Sequence, residues 1–261
     1  MKIKSVDVIK IGIATKKTQK TTDVVAEEKP LHIFLNKHRY ATIFCSPNNL
    51  KELTVGHLLS ESILETTEEI EELTLKDGIC RVRLKPDVDL TKRLKLADHY
   101  SRVILSACGS QTFFQPSRKV AKIESDLKVK AGVIFDCVNR LNFIAETFRK
   151  TGGVHAAAIY NGNGELVAFA EDIGRHNAVD KVMGLGALDR IDFGRCFLAS
   201  TGRLTGDIVL KAAKIGLPIV ASLAAAIDSG IAIAKEVDLT LIGFARGKRM
   251  NIYSGVRRVV V

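Results

Sequence analysis

From His155 onward, apolar runs short enough to be strands alternate with amphipathic stretches long enough to be helices, and this rhythm restricts the possible folds more than any other feature. Strands are expected at His155 to Tyr160, Leu166 to Ala170, Cys196 to Ser200, Pro218 to Leu223 and Leu239 to Phe244. Between them, helices are expected near Asn177 to Leu188, Thr205 to Ile215 and Ser229 to Glu236. Strands alternating with helices give an α/β layer with a partly parallel sheet. Just upstream, Asp136 to Lys150 reads as one helix closed by Gly152-Gly153, with Val138, Leu141, Ile144, Ala145 and Phe148 on its apolar face.

The first hundred residues have a different pattern, of short strands around one helix. Alternation marks Lys2 to Ile11, a hairpin pairs Leu31 to Leu35 with Tyr40 to Cys45, and a second hairpin turns at Asp77-Gly78 between Leu73 to Leu75 and Cys80 to Leu84. Ser46-Pro47-Asn48 supplies helix-start chemistry for the segment holding Leu50, Leu53, Leu58, Leu59 and Ile63. A charged connection leads to a strand at His99 to Leu105. The chain therefore divides into a strand-rich N-terminal region, 1–97, and an α/β domain, 98–261.

Composition narrows the class. With 46% hydrophobic and 26% charged residues the chain buries a core and is neither disordered nor collagenous. Its most apolar run, Ile215 to Ile227, lies between Lys214 and Asp228 and falls short of the roughly 18 residues a bilayer requires, so no membrane role is expected. The lysine-studded N-terminus lacks the apolar core of a signal peptide, and five well-separated cysteines (Cys45, Cys80, Cys108, Cys137, Cys196) suggest neither a disulfide framework nor a C-x-x-C zinc site. A cytoplasmic location is expected. The net charge of +10 calls for an anionic partner, and five basic residues with no acidic one lie between Gly243 and Val261. No helix-turn-helix, zinc-finger or basic-helix pattern accompanies the charge, so nucleic acid is not the expected partner.

Three strand-to-helix loops could hold an anion, because such loops present backbone N–H groups at a helix N-terminus. The first, Glu171-Asp172-Ile173-Gly174-Arg175-His176-Asn177, crowds an acid pair, a glycine and two cationic or hydrogen-bonding groups into one turn; its plainer reading makes Asn177 a helix cap and Arg175 a surface charge. The second, Ser200-Thr201-Gly202-Arg203-Leu204-Thr205-Gly206-Asp207, offers hydroxyls, amides and a guanidinium without any P-loop or dinucleotide fingerprint. The third, Gly243-Phe244-Ala245-Arg246-Gly247-Lys248, sets a ring beside two cations, as a base and its phosphates require. Cys108 is the one cysteine outside a patterned element. His155 lacks the glutamate of H-x-E, and P-C-x-x-C is absent, so zinc-dependent deamination is opposed and no zinc is expected.

These stretches carry a resemblance. Thr151-Gly152-Gly153-Val154-His155-Ala156-Ala157, Glu171 to Lys181, Ser200-Thr201-Gly202-Arg203 and Leu241-Ile242-Gly243-Phe244 resemble successive signatures of the formate dehydrogenase accessory sulfurtransferase family (FdhD). The likeness runs from about Pro30 to Tyr253, including Gly56-His57-Leu58-Leu59-Ser60-Glu61. The resemblance implies a cytidine-deaminase-like α/β/α core with a mixed sheet, a homodimer, and a sulfurtransferase. In that activity Cys108 takes sulfur from a cysteine desulfurase as a persulfide and gives it to the molybdenum cofactor, bis-molybdopterin guanine dinucleotide, for formate dehydrogenase. Cofactor binding is implied at Gly243, Phe244, Ala245, Arg246, Gly247 and Lys248, with Asp172, Arg175, His176, Thr201 and Arg203 as further candidates and GDP as the expected mimic. The family loop commonly reads C-G-x-C-G; here it is Cys108-Gly109-Ser110-Gln111-Thr112, which leaves Cys108 to act alone. The other readings are a non-catalytic carrier of the cofactor and a nucleotide-modifying relative of the deaminases.

Overall fold

The computed structural model describes residues 3–97, 102–104 and 121–261. In chain order the elements are β1 (Ile3–Gly12), β2 (Lys17–Ala26), β3 (Lys29–Leu35), β4 (His38–Cys45), α1 (Leu50–Ser60), β5 (Ile70–Lys76), β6 (Ile79–Leu84), α2 (Leu90–Ala97) and β7 (Arg102–Ile104). They continue with β8 (Val129–Lys130), α3 (Ala131–Ile144), α4 (Glu146–Thr151), β9 (His155–Asn161), β10 (Leu166–Asp172), α5 (Arg175–Leu188) and β11 (Cys196–Ser200). The last are α6 (Gly206–Lys214), β12 (Ile219–Ser222), α7 (Asp228–Glu236), β13 (Thr240–Arg246), β14 (Arg249–Ser254) and β15 (Val259–Val260).

The expected α/β alternation forms a six-stranded mixed sheet of order β10-β9-β11-β12-β13-β14, in which β11, β12 and β13 are parallel and the remaining neighbours antiparallel. Its strands are apolar on both faces because both are covered. Ala157, Ile159, Leu198, Val220 and Leu241 meet Val179, Val182 and Met183 of α5, Ile208 and Val209 of α6 and Ile233 of α7. Ala158, Tyr160, Phe197, Ala199, Ile219 and Ile242 meet Ile134, Val138 and Leu141 of α3. The result is three layers, helices on either side of one sheet.

The N-terminal half builds a second sheet of order β5-β6-β3-β4-β7. Leu31, Ile33, Ile43, Cys80 and Val82 pack on Leu53, Val55 and Leu58 of α1. Helix α1 is buried continuously from Leu53 to Ser60, since it has the sheet on one side and α5 on the other. Glycines permit that second contact. A Cβ on Gly56 would lie 1.8 Å from the Asp180 carbonyl oxygen, and one on Gly184 would lie 1.8 Å from that of Glu52, so the two helices touch backbone to backbone. No helix of the described residues is long and apolar enough to cross a membrane.

Several elements differ from the sequence reading. The polar stretch Lys17–Ala26 is a strand, pairing along its whole length with β1 in an exposed ribbon, and Leu90–Ala97 is a short second helix where a connection was expected. The helix expected over 136–150 starts at Ala131 and breaks at Ala145. Glu171 explains the break: its carboxylate accepts from the Thr147 and Phe148 N–H groups at 3.1 and 2.8 Å, satisfying donors at the start of α4. The basic C-terminus is built into the fold. Residues 249–254 form the edge strand β14, Arg257 pairs with Asp238, and Arg258 is buried, donating to the Asp238, Ser125 and Ile123 carbonyls.

Candidate functional site

Strand direction gathers the predicted loops on one rim. His155 pairs with Asp172 and Ala157 with Ser200, so the amino end of β9 and the carboxyl ends of β10 and β11 coincide; β12 and β13, parallel to β11, end there too. This is the edge at which α/β sheets bind ligands.

Hydrogen bonds lace the loops of that rim together. The Ser200 hydroxyl accepts from Gly202 N–H at 3.1 Å, while that of Ser222 donates to the Gly202 carbonyl at 2.6 Å and accepts from Ala224 N–H at 3.0 Å. Phe244 N–H donates to the Ala224 carbonyl at 2.9 Å. A Cβ at Gly243 would come within 3.1 Å of Ala224, Ala226 and Tyr253, so glycine lets the 224–226 backbone lie on β13. At Phe244 the backbone turns left-handed (φ 51°) within a register shift between Gly243 and Arg246, which re-aims the ring out of the strand pattern. The Arg246 guanidinium lies over that ring, 5.3 Å from its centroid. Ala245 is buried, its carbonyl accepting from the Asn139 amide. Gly247 and Lys248, both at positive φ (60° and 64°), make the tight turn that presents Lys248 and Arg249 at an exposed tip.

On the other side of the rim the Thr201 hydroxyl accepts from Ala156 N–H at 3.0 Å and contacts His155 Nδ1 at 3.3 Å. Burial lowers the His155 pKa, and the Arg175 and Arg203 guanidinia lower it further against the opposing Asp172. That places both arginines close enough to make the rim positive. Arg203 is exposed, and Arg175 packs on Gly202.

Two candidates do other work. Asp172 is fully buried and its carboxylate is spent inside the protein, accepting from Ser46 N–H, Gly174 N–H, the Asn177 amide and the Lys181 ammonium, the last at 2.7 Å. It is therefore corrected from a ligand-binding group to a clamp between the two halves, and Asn177, held by Asp172 and the Phe44 carbonyl, is part of that clamp rather than a helix cap; Gly174 holds the cap position. His176 is no cation: burial first, then Lys211 and Arg175, push its pKa down to about 3. A second buried group lies behind it, where Lys211 bridges both Asp180 oxygens at 2.9 Å and the Ser60 hydroxyl at 2.7 Å, with Glu61 at 3.6 Å.

Sequence reasoning did not pick out Ser222 and Ala224, which tie the rim together; a serine closing an apolar strand at its carboxyl end was the available signal. Cys108 lies outside the described residues. The other four cysteines, Cys45, Cys80, Cys137 and Cys196, are buried, and burial raises each thiol, Cys45 to about 12 and Cys137 to about 11.

The sequence pattern of the FdhD/NarQ family matches residues 26–260. The chain belongs to that family. Among FdhD relatives, the sulfur carrier protein FdhD of Shouchella clausii is 34% identical over 91% of this chain and 90% of its own length. Its counterpart in Saccharolobus solfataricus is 35% identical over 99% of both. A crystal structure of a Desulfotalea psychrophila protein, proposed to be a formate dehydrogenase accessory protein, covers 99% of each chain with a TM-score of 0.79 and 27% identity. The FdhD match spans both halves, from the N-terminal sheet to β15.

Proposed function

We propose that this protein is a sulfur carrier for formate dehydrogenase maturation, using Cys108 as a persulfide-bearing sulfurtransferase residue. The observation that supports this most directly is the state of the other cysteines. A carrier needs an accessible thiolate, and the buried, raised thiols of Cys45, Cys80, Cys137 and Cys196 make poor ones. The Cys108 thiolate attacks the outer sulfur of a cysteine desulfurase persulfide; one S–S bond forms, another breaks, and the donor's thiolate leaves. Bis-molybdopterin guanine dinucleotide, bound as substrate, is the proposed recipient of that sulfur.

The rim suits that substrate. Its doubly phosphorylated guanosine ends match exposed Arg203, Arg246 and Lys248, while the Phe244 face offers stacking. A cytidine-deaminase-like ancestry for the three-layer core, a homodimer and a cytoplasmic setting belong to the same proposal. The test is incubation with a cysteine desulfurase and cysteine followed by peptide mass spectrometry. One added sulfur confined to Cys108 is expected; an adduct equally abundant on Cys45 or Cys80, or none, overturns the reading.

A further inference from the structure

The ribbon of β1 and β2 is a two-stranded sheet of its own, and no residue of either strand is buried. Its root lies against the body, where a Cβ on Gly153, just before β9, would meet the Ala26 side chain at 3.6 Å. Ile9 and Ile11 share one face of β1, opposite Lys20 and Thr18, and Ile13 stands in the turn at the tip. They are 63%, 63% and 87% exposed. Large apolar side chains held in water are unfavourable, and a projecting tip that presents three of them marks a surface that something covers. The ribbon lies ahead of the point near Ala26 where the match to the family pattern begins, so the family's shared chemistry does not account for it.

Charge and composition select what covers it. From Val8 to Thr22 there are four lysines, Lys10, Lys16, Lys17 and Lys20, all exposed, and no acidic residue; Asp7 and Asp23 sit nearer the root. The partner is therefore anionic as well as apolar. Nucleic acid would call for rings or guanidinia, and residues 3–26 contain no aromatic residue, histidine or arginine. The core of a protein interface favours the same absent types and is poor in lysine. Two ribbons meeting each other would bring lysine onto lysine. An anionic lipid surface fits both parts, since isoleucine side chains sink into the headgroup boundary while lysines extend their stems to the phosphates.

We propose that the tip of the β1–β2 ribbon, Ile9, Ile11 and Ile13 with Lys10, Lys16, Lys17 and Lys20, docks the protein on an anionic membrane surface. Contact is made from one side, by side chains alone, and needs no spanning segment. The ribbon leaves the body beside the amino end of β9, so the attachment lies at the rim end of the six-stranded sheet. The inference is independent of sulfur transfer.

The test is cosedimentation of the full chain with vesicles of phosphatidylcholine alone and of phosphatidylcholine carrying about one third phosphatidylglycerol. Binding is expected to the anionic vesicles only, falling steeply as salt rises from about 0.05 to about 0.5 M. Lys16→Gln and Lys17→Gln should each weaken it about fivefold, and Ile11→Asn with Ile13→Asn about tenfold. Lys122→Gln with Lys128→Gln removes exposed charge beyond the other end of β9, where Leu127 reaches Gly162, and should change binding by less than about twofold. Thermal melts report whether each variant folds. The chain has no tryptophan, so Ile13→Trp supplies a single fluorophore whose emission should shift to the blue on anionic vesicles. Absence of binding overturns the proposal, as does equal binding to neutral vesicles, binding that the isoleucine pair leaves unchanged, or an Ile13→Trp emission that stays put. Dimerisation that the isoleucine pair abolishes, without vesicle binding, gives the ribbon to a second copy instead.

Discussion

The buried seam between α1, α5 and α6 and the open rim of the six-stranded sheet are built from the same residue types, and burial alone gives them opposite uses. In the seam Lys181 meets Asp172 and Lys211 meets Asp180, every charge is removed from water, and each is surrounded by further hydrogen bonds. On the rim Arg203, Arg246 and Lys248 remain exposed, so their charge is available to a ligand. The Glu171 to Lys181 stretch feeds both: Asp172, Asn177, Asp180 and Lys181 weld the halves together, while Arg175 packs on Gly202 at the rim.

Breaking the seam should have the largest effect. Lys181→Met leaves the Asp172 carboxylate buried beside neutral partners and is expected to cost about 3–5 kcal/mol in urea denaturation; adding Asp172→Asn should recover part of it, because the uncompensated charge is gone. Next is acid. His176 stays neutral in the fold to about pH 3 but titrates near 6.5 when unfolded, so the unfolded chain takes up the proton first and stability falls as pH drops between those values. From pH 7 to pH 4 this contributes about 3 kcal/mol of loss, and His176→Gln should flatten that part of the stability profile. Asp180 adds to the same trend at lower pH: burial raises its pKa, but Lys211 and His57 outweigh burial and hold it low, so its contribution disappears as the carboxylate is protonated. Gly56→Ala forces a methyl against the α5 backbone and should cost about 1–3 kcal/mol, read as a lowered Tm. Smallest of all, Arg246→Gln and Lys248→Gln should leave stability within about 0.5 kcal/mol. Both should weaken GDP binding roughly three- to tenfold at low salt, less at high salt. A stability loss comparable to that of Lys181→Met would show that the rim is structural after all.

The sequence revealed what is periodic and hid what is paired at a distance. Strands β9 to β13 and helices α5 to α7 announced themselves because both sheet faces are covered and apolar runs have no other use. Lys17–Ala26 did not, because KTQKTTDVVA makes a strand by pairing with β1 rather than by burying a face. The break at Ala145 depends on Glu171, and the inward turn of Asp172 depends on Ser46, partners 24 or more residues away. Nothing local marks Arg258 as a guanidinium that caps carbonyls across the fold. Of the site, the rim loops were legible from strand-to-helix transitions, whereas the neutrality of His176 required knowing which cations surround it.

The crossing at Gly56 and Gly184 has a consequence for exchanging parts between relatives. Two helices separated by side chains can be re-spaced by trading a large residue for a small one, but here main-chain atoms set the distance and no rotamer can adjust it. The N-terminal half should therefore transplant onto a relative's C-terminal half only where both glycines, and the buried polar partners of the seam, are retained. Where either one carries a side chain, the graft should be destabilised even if every other contact matches.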